Sequence, residues 1–125
     1  MAIELREVHF NAPTAIDGYG PGGFRVGGHW IDGAVFVTAE QMTPWAVSEG
    51  GPVRADAEAL VEWLDGLDVV LLGLGPEQRM VPPDVQTFFD ERNIGVEPMA
   101  TPAAARTFNV LLGEGRRVGA ALMVV

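Results

Sequence analysis

Residues 68–84 read DVVLLGLGPEQRMVPPD, and this stretch decides the fold. Its apolar run from Val69 to Leu72 is typical of a strand buried on both faces, and such strands belong mostly to parallel sheets covered by helices. Gly73 and Gly75 then turn the backbone away from the strand, and two prolines preset the first turn of a helix. Because ligands of open α/β sheets bind outside the carboxyl ends of such strands, we expect a site at this turn.

From residue 54 onward the pattern alternates between helix and strand. We predict helices at about 54–64, 83–92 and 102–112, and strands at 69–72, 94–99 and 118–125. Thr101 is expected to be the N-cap of the last helix, with Pro102 at its first helical position. This order predicts an α/β sheet with right-handed crossovers wherever neighbouring strands run parallel.

The first third of the chain has the turn signals of an antiparallel β-meander. The prediction comprises a short strand at Ile3, Leu5 and Val8, a loop over 11–23, a hairpin over 24–31 turning at Gly27-Gly28, and a strand over 34–38. The loop assignment rests on the glycines and prolines of that segment. We therefore expect one domain over 1–125, with the meander and its connecting loops in 1–53 and the helix–strand alternation in 54–125.

The last predicted helix is apolar nearly all round, so it should be covered on more than its sheet-facing side. The meander is the element left to cover it, including the line of Arg106 and Val110. The predicted fold class is a three-layer α/β fold, with helices on the faces of a mixed central sheet and the meander packed beside a helix.

Composition excludes several classes of function. The chain has 125 residues, a formal charge of −9 and no cysteine, and all eight of its basic residues are arginine. A nucleic-acid partner is disfavoured because it needs a basic face. The missing residue types exclude disulfides, cysteine nucleophiles, Schiff-base lysines and P-loop lysines. With no signal peptide and no apolar run near 18 residues, we expect no membrane insertion and a cytoplasmic location.

Known catalytic and cofactor motifs are incomplete. Gly73-Leu74-Gly75 begins like a dinucleotide-binding turn, but Gln78 stands where the third glycine is needed. The two histidines, His9 and His29, lie in strand-like segments, and Ser48 lacks the glycine-flanked setting of a hydrolase nucleophile. We therefore assign no catalytic residue, no metal ligand and no cofactor.

A set of polar residues near two strand ends suits a small anion. If the strands ending at Gly73 and Met99 are parallel, the turns after them open on one edge and aim two helix N-termini at it. The predicted ligand-binding residues are Gly73, Gly75, Gln78, Arg79, Thr101, Arg106, Thr107 and Asn109. The structural alternative stays open: Arg79 is solvated, Thr101 only caps its helix, and Asn109 satisfies nearby backbone groups.

The chain resembles a known family over nearly its whole length. The resemblance is carried by the runs 71–75, 78–79, 82–83, 94–97, 105–107 and 114–118, by Met99, Thr101, Asn109 and Leu111, and upstream by residues 19–20 and 23–26. These resemble the Mth-nine-three-eight-like family, the domain of unknown function numbered four-nine-eight. The resemblance implies a three-layer α/β fold with a mixed sheet and a meander beside it, and no established enzymatic activity.

The resemblance also implies a role. Animal relatives include a mitochondrial assembly factor for respiratory complex I and a protein associated with adipogenesis. Gly73, Gly75, Arg106, Thr107 and Asn109 match the family motif, whereas Leu74 and Ala100 replace a common threonine and a common acid.

Two functional hypotheses follow. The first is a non-enzymatic binding or assembly module that acts on a protein partner, with respiratory complex assembly as the role that the resemblance suggests, as a monomer or weak homodimer. The alternative is a small-molecule enzyme or sensor that binds an anionic metabolite at the carboxyl ends of the central strands.

Overall fold

A computed structural model describes residues 15–125 and, for their backbone, residues 8–9. Ile3, Leu5 and the predicted loop residues 11–14 lie outside the described residues. The strands are Val8–His9 (β1), Ile16–Gly20 (β2), Gly23–Val26 (β3), His29–Asp32 (β4), Val35–Val37 (β5), Gln41–Pro44 (β6), Val69–Gly73 (β7), Gly95–Met99 (β8) and Val118–Leu122 (β9). The helices are Arg54–Glu58 (α1), Pro83–Asp90 (α2) and Thr101–Gly113 (α3), with a 3₁₀ turn at Val61–Trp63.

The described strands form two sheets. The main sheet has the order β1-β6-β5-β9-β7-β8, and the small sheet has the order β2-β3-β4. β7 is parallel to both of its neighbours, β8 and β9, while β5 and β6 join the main sheet antiparallel. The expected mixed central sheet is confirmed, and β9 is the strand that joins its parallel and antiparallel parts.

Side chains of β7 alternate between the two faces of the main sheet, as the period of a strand requires. Leu71 lies in the core with Phe108 of α3, whereas Val70 and Leu72 lie in the core with Phe88 of α2. Each of these side chains on β7, α2 and α3 is at most 1% exposed. The helices therefore cover both faces, which is why β7 reads as a continuous apolar run.

The small sheet packs beside α3, and this confirms the meander–helix layer. Its inner face contributes Phe24, Val26 and Ile31 to the core that holds Ala105 and Phe108 of α3. The Gly27-Gly28 turn joins β3 to β4 with positive φ at both glycines (54° and 82°), as the hairpin prediction requires. The meander is thus split: three strands form the small sheet, and β5 and β6 continue into the main sheet.

Three sequence predictions need correction in the N-terminal and middle segments. Ile16–Gly20 is a strand rather than loop, because its glycines pair with β3 across a bulge. Gln41–Pro44 is a strand that the sequence pattern did not indicate. The helix predicted over 54–64 is α1 followed by a separate 3₁₀ turn, since the chain tightens into i→i+3 hydrogen bonds after Ala57. Val61, at the start of that turn, is 49% exposed.

Two predictions about α3 also need correction. The N-cap position is Ala100, and Thr101 is already the first helical residue, because its hydroxyl bonds to other strands instead of capping. The line of Arg106 and Val110 stays exposed, with Val110 at 55%. The small sheet covers a different side of α3, so the expectation of cover along that line is wrong.

Candidate functional site

The loops after β7 and β8 meet at one edge of the main sheet, as their parallel strands predict. The N–H of Leu74 donates to the carbonyl of Met99 at 3.0 Å, and the N–H of Thr101 donates to the carbonyl of Gly75 at 2.8 Å. The segment after β9 joins them, because the N–H of Met123 donates to the carbonyl of Gly73 at 2.9 Å. We call this edge the carboxyl rim: residues 73–75, 99–101 and 123.

Thr101 ties the three strand ends of the carboxyl rim together. Its Oγ1 accepts a hydrogen bond from the N–H of Gly75 at 2.9 Å and donates one to the carbonyl of Met123 at 2.7 Å. The residue is 0% exposed. A buried hydroxyl that both accepts and donates in this way is fully used within the protein.

Glycine stands at the two rim positions, Gly73 and Gly75, for different structural reasons. A Cβ at Gly73 would lie 2.9 Å from Leu122 Cδ2 and 3.1 Å from the Cα of Thr101, so only glycine permits this close approach. Gly75 has room for a Cβ, but its φ of 100° is strained for any other residue. Both glycines therefore shape the rim, and their packing accounts for them without a ligand.

Arg79 lies across the end of β7. Its Nε and Nη2 donate to the carbonyl of Leu74 at 3.2 and 2.8 Å, and its Nη1 donates to the carbonyl of Gly50 at 3.4 Å. Nη2 also lies 3.7 Å from the sulfur of Met123. Among residues 15–125, no carboxylate pairs with this guanidinium, and the groups that accept its hydrogen bonds are all neutral.

Two small hollows flank the Arg79 side chain. One is a cavity of about 70 Å³ between residues 50–52 and the segment that precedes α2. The other is about 210 Å³ and lies between Gly75–Glu77 and the Met123-Val124 segment. Both are smaller than the 300–1,000 Å³ that is typical of small-molecule pockets.

The remaining predicted site residues are dispersed. Gln78 is exposed in the loop beside Arg79, and Arg106 is exposed on α3. Thr107 is half-buried on α3. Asn109 faces the small sheet: its Oδ1 accepts from the N–H of Ile16 at 2.8 Å, and its Nδ2 donates to the carbonyl of Ile16 at 2.9 Å.

The structure thus brings Gly73, Gly75, Arg79 and Thr101 together, and it places Asn109 and Arg106 away from them. The hydrogen bonds of Asn109 fit the structural alternative stated for it. Anion binding by any of these residues stays a prediction. Sequence reasoning missed Met123, whose backbone and sulfur complete the rim; its apolar setting at the end of β9 carries no polar signal that would have revealed it.

A second polar group at this end of the molecule orders the connection before α1. The buried carboxylate of Asp56 accepts hydrogen bonds from the N–H and hydroxyl of Ser48 and from the N–H of Val53, at 2.9–3.1 Å. Asp56 and Ser48 are therefore partners in a structural network that holds residues 48–53, including Gly50, in place beside Arg79.

Outside the rim, Arg54 of α1 forms two charged hydrogen bonds. Hydrogen bonds from its guanidinium to Glu91 at 2.6 Å and to Glu58 at 3.3 Å raise the pKa of Arg54 above its ordinary value. The group therefore stays charged, and it links α1 to the residue that follows α2. Within the described residues, no three His, Asp or Glu side chains are arranged to hold a metal ion.

No helix of the described residues is long and apolar enough to cross a membrane. The fold and the rim together define a class: a small α/β domain whose sheet edge is closed by internal hydrogen bonds, with a small antiparallel sheet attached through α3.

The chain belongs to the family described as "Protein of unknown function (DUF498/DUF598)", whose profile matches residues 16–123. An uncharacterised protein of Rhodobacter capsulatus is 40% identical over 94% of this chain and 90% of its own length. A Mus musculus protein named NADH dehydrogenase [ubiquinone] 1 alpha subcomplex assembly factor 3 is 30% identical over 97% of this chain, which spans 66% of that protein.

A solved structure extends the similarity to three dimensions. The structure described as an outer membrane protein from Bartonella henselae matches with a TM-score of 0.84 and 34% identity, covering 94% of this chain and 99% of that one. The resemblance that the sequence motifs indicated is therefore confirmed at the level of family and fold.

Proposed function

We propose that this protein is a non-enzymatic binding module that helps to assemble a larger protein complex, with a respiratory NADH dehydrogenase as the first candidate. The observation that carries the proposal is the similarity to the mouse assembly factor, because it spans 97% of this chain and so includes the whole described fold. The proposed partner is accordingly a protein, and the proposed location is the cytoplasm.

The closed carboxyl rim weighs against an anion site at the N-terminus of α3. The rim N–H groups of Gly75 and Thr101 and the Thr101 hydroxyl already have partners within the protein. An anion at this helix N-terminus would have to displace those hydrogen bonds, which removes the advantage that free N–H groups give to such sites.

Recovery of partners from the native cells tests the proposal. Tagged full-length chain should recover NADH dehydrogenase subunits, quantified by mass spectrometry after cross-linking. Arg106→Ala should reduce the recovery if the exposed side of α3 contacts the partner, because Arg106 has no bonding partner of its own among the described residues. A folded wild-type chain that recovers no such subunit above an untagged control would contradict the assembly role.

One observation favours the second candidate, an enzyme or sensor for an anionic metabolite. Arg79 carries a positive charge with no carboxylate partner in residues 15–125, and it lies between two hollows. A carboxylate or phosphate could replace the neutral carbonyls as its partner, since charge-assisted hydrogen bonds are roughly twice as strong as neutral ones.

A melting-temperature screen with phosphates, carboxylates and nucleotides separates the two candidates. A ligand at 100 times its Kd adds about 2.7 kcal/mol of stability, which raises the Tm by several degrees. The same ligand should give no shift with Arg79→Ala. No shift of the wild-type protein with any of these anions would remove the second candidate.

A further inference from the structure

The outer face of the small sheet is the side that faces away from α3, and it is nearly flat. Alternation along the strands places six residues on it: Gly18, Gly20, Gly23, Arg25, Trp30 and Asp32. A Cβ at Gly18 would meet nothing within 4 Å. Three of the six positions carry no side chain, which leaves the backbone open at Gly18 and leaves room for the Trp30 ring over Gly20 and Gly23.

Trp30 lies over two of these glycines. A Cβ at Gly23 would lie 2.8 Å from Trp30 Cζ2, and one at Gly20 would lie 3.6 Å from Trp30 Cη2. The indole N–H donates to Asp32 Oδ1 at 3.0 Å. The backbone of Gly20 and Gly23 packs against the indole ring, and the hydrogen bond to Asp32 fixes its edge. Trp30 is nevertheless 46% exposed. A rigid, half-exposed tryptophan is the kind of residue that anchors protein interfaces.

The charges on this face form no ion pair among the described residues. Arg25 is exposed and lies directly opposite Trp30 in the β3–β4 register, and no carboxylate among the described residues bonds to it. Asp32 lies opposite Gly23, two residues further along β4, and its Oδ2 accepts no hydrogen bond within residues 15–125. One face therefore carries an unpaired cation and a carboxylate with a free oxygen, on either side of one indole.

We propose that this face binds a second copy of the chain, with Arg25 of each copy paired to Asp32 of the other and the two Trp30 rings in contact at the centre. A two-fold interface requires a surface that is complementary to itself, and a face bearing both members of an ion pair around an apolar centre satisfies that requirement. In this arrangement each charge gains an oppositely charged partner that it lacks among the described residues of one copy.

The small contact area and the net charge of each copy both predict a weak dimer. Three strands about 4.8 Å apart and about four residues long, at about 3.3 Å per residue, present only roughly 200 Å² in projection, well below the ~800 Å² per partner of a standard interface. Each copy also carries a charge of −9, so the copies repel at long range. At 0.15 M salt the screening length is about 8 Å, which leaves the contacting pairs as the main electrostatic interaction.

Sedimentation velocity of the full chain between about 10 μM and about 1 mM tests the proposal, since that range covers weak dissociation constants. The wild-type protein should pass from monomer to dimer with concentration. Arg25→Asp and Asp32→Arg should each raise the dissociation constant at least tenfold, because each places like charges opposite each other. An equimolar mixture of the two variants should dimerise again, because the mixed dimer restores both ion pairs: the native Asp32 of one variant faces the native Arg25 of the other, and the two substituted side chains form the second pair with reversed polarity.

The control is Arg106→Asp, which makes the same change of charge at another exposed arginine without a bonding partner among the described residues. It should dimerise as the wild-type protein does. A wild-type chain that stays monomeric at about 1 mM overturns the proposal. So does a dimer that survives Arg25→Asp, or a mixture of the folded variants that stays monomeric.

Amide NMR spectra of the wild-type protein, recorded over a dilution series, test the proposal without any variant. The result therefore does not depend on whether a variant folds. The amide signals of Gly18, Gly20 and Gly23 and the indole signal of Trp30 should shift with concentration, whereas those of Arg106 and Val110 should not. Concentration-dependent shifts confined to α3 would overturn the proposed face.

Discussion

At the carboxyl rim, the polar groups of Thr101 and Gly75 are bonded to one another and to Met123. On the outer face of the small sheet, Arg25 has no bonded partner among the described residues and Trp30 is half-exposed. In the first region the polar groups are satisfied within the protein, as they are in a core. In the second region a charged and an aromatic side chain are available to contact another molecule. The position of a strand end in an α/β sheet therefore does not by itself make a binding site, because loops that meet there can satisfy each other.

The largest expected effect on stability comes from removing the hydroxyl of Thr101, because that hydroxyl closes the carboxyl rim. Thr101→Val keeps the shape of the side chain but removes the hydrogen-bond partner of the buried Gly75 N–H and of the half-buried Met123 carbonyl. The buried N–H costs about 1–3 kcal/mol when it is unsatisfied and the half-buried carbonyl adds a smaller cost, so we expect a loss of about 2–4 kcal/mol in the free energy of unfolding, measured with urea. Thr101→Ser keeps the hydroxyl and should recover most of it; an unchanged stability in Thr101→Val would show that the rim is not closed as described.

The link between the two regions should be of intermediate strength. Asn109→Ala removes both hydrogen bonds between α3 and Ile16 of β2, so we expect a loss of about 1–2 kcal/mol. Hydrogen exchange should quicken in β2 and β3 before it does in β7, because these bonds hold the small sheet to the helix. Equal acceleration in both sheets would indicate that the small sheet does not open separately.

The smallest effect is expected on the outer face. Arg25→Ala removes an exposed side chain that has no bonded partner among the described residues, so at micromolar concentration the free energy of unfolding should change by less than about 0.5 kcal/mol. Denaturation of the monomer in urea checks this, with Arg106→Ala as the matched surface substitution. A loss above about 1 kcal/mol would mean that Arg25 supports the fold rather than an interface.

Much of the fold could be predicted because its signals are local. The run Val69–Leu72 marks a strand covered on both faces, and Gly27-Gly28 marks a hairpin turn whose positive φ angles few other residues adopt. The apolar content of α3 correctly indicated cover by the meander, but not which side. Arg106 and Val110 lie on the exposed side because the small sheet reaches α3 through Asn109 and Ile16, a contact between residues far apart in sequence.

The site was harder to predict for the same reason. Thr101 before Pro102 has the pattern of an N-cap, and that pattern cannot show that Met123 will lie beside the hydroxyl and take its hydrogen bond. The meeting of the two loops could be foreseen from parallel strands. It could not be foreseen that the loops satisfy each other's hydrogen bonds, because the partner of each N–H is set by the register between β7, β8 and β9.

The position of β9 has a consequence for how quickly the chain folds. β9 is the last strand in chain order, yet it lies between β5 and β7, and its register pairs Leu122 with Val35. The two parts of the main sheet therefore cannot join until that final strand has been synthesised, and the pairing must close a loop that includes most of the preceding chain. Pairing between residues so far apart in sequence slows folding, and strands that wait with unpaired edges are exposed to aggregation.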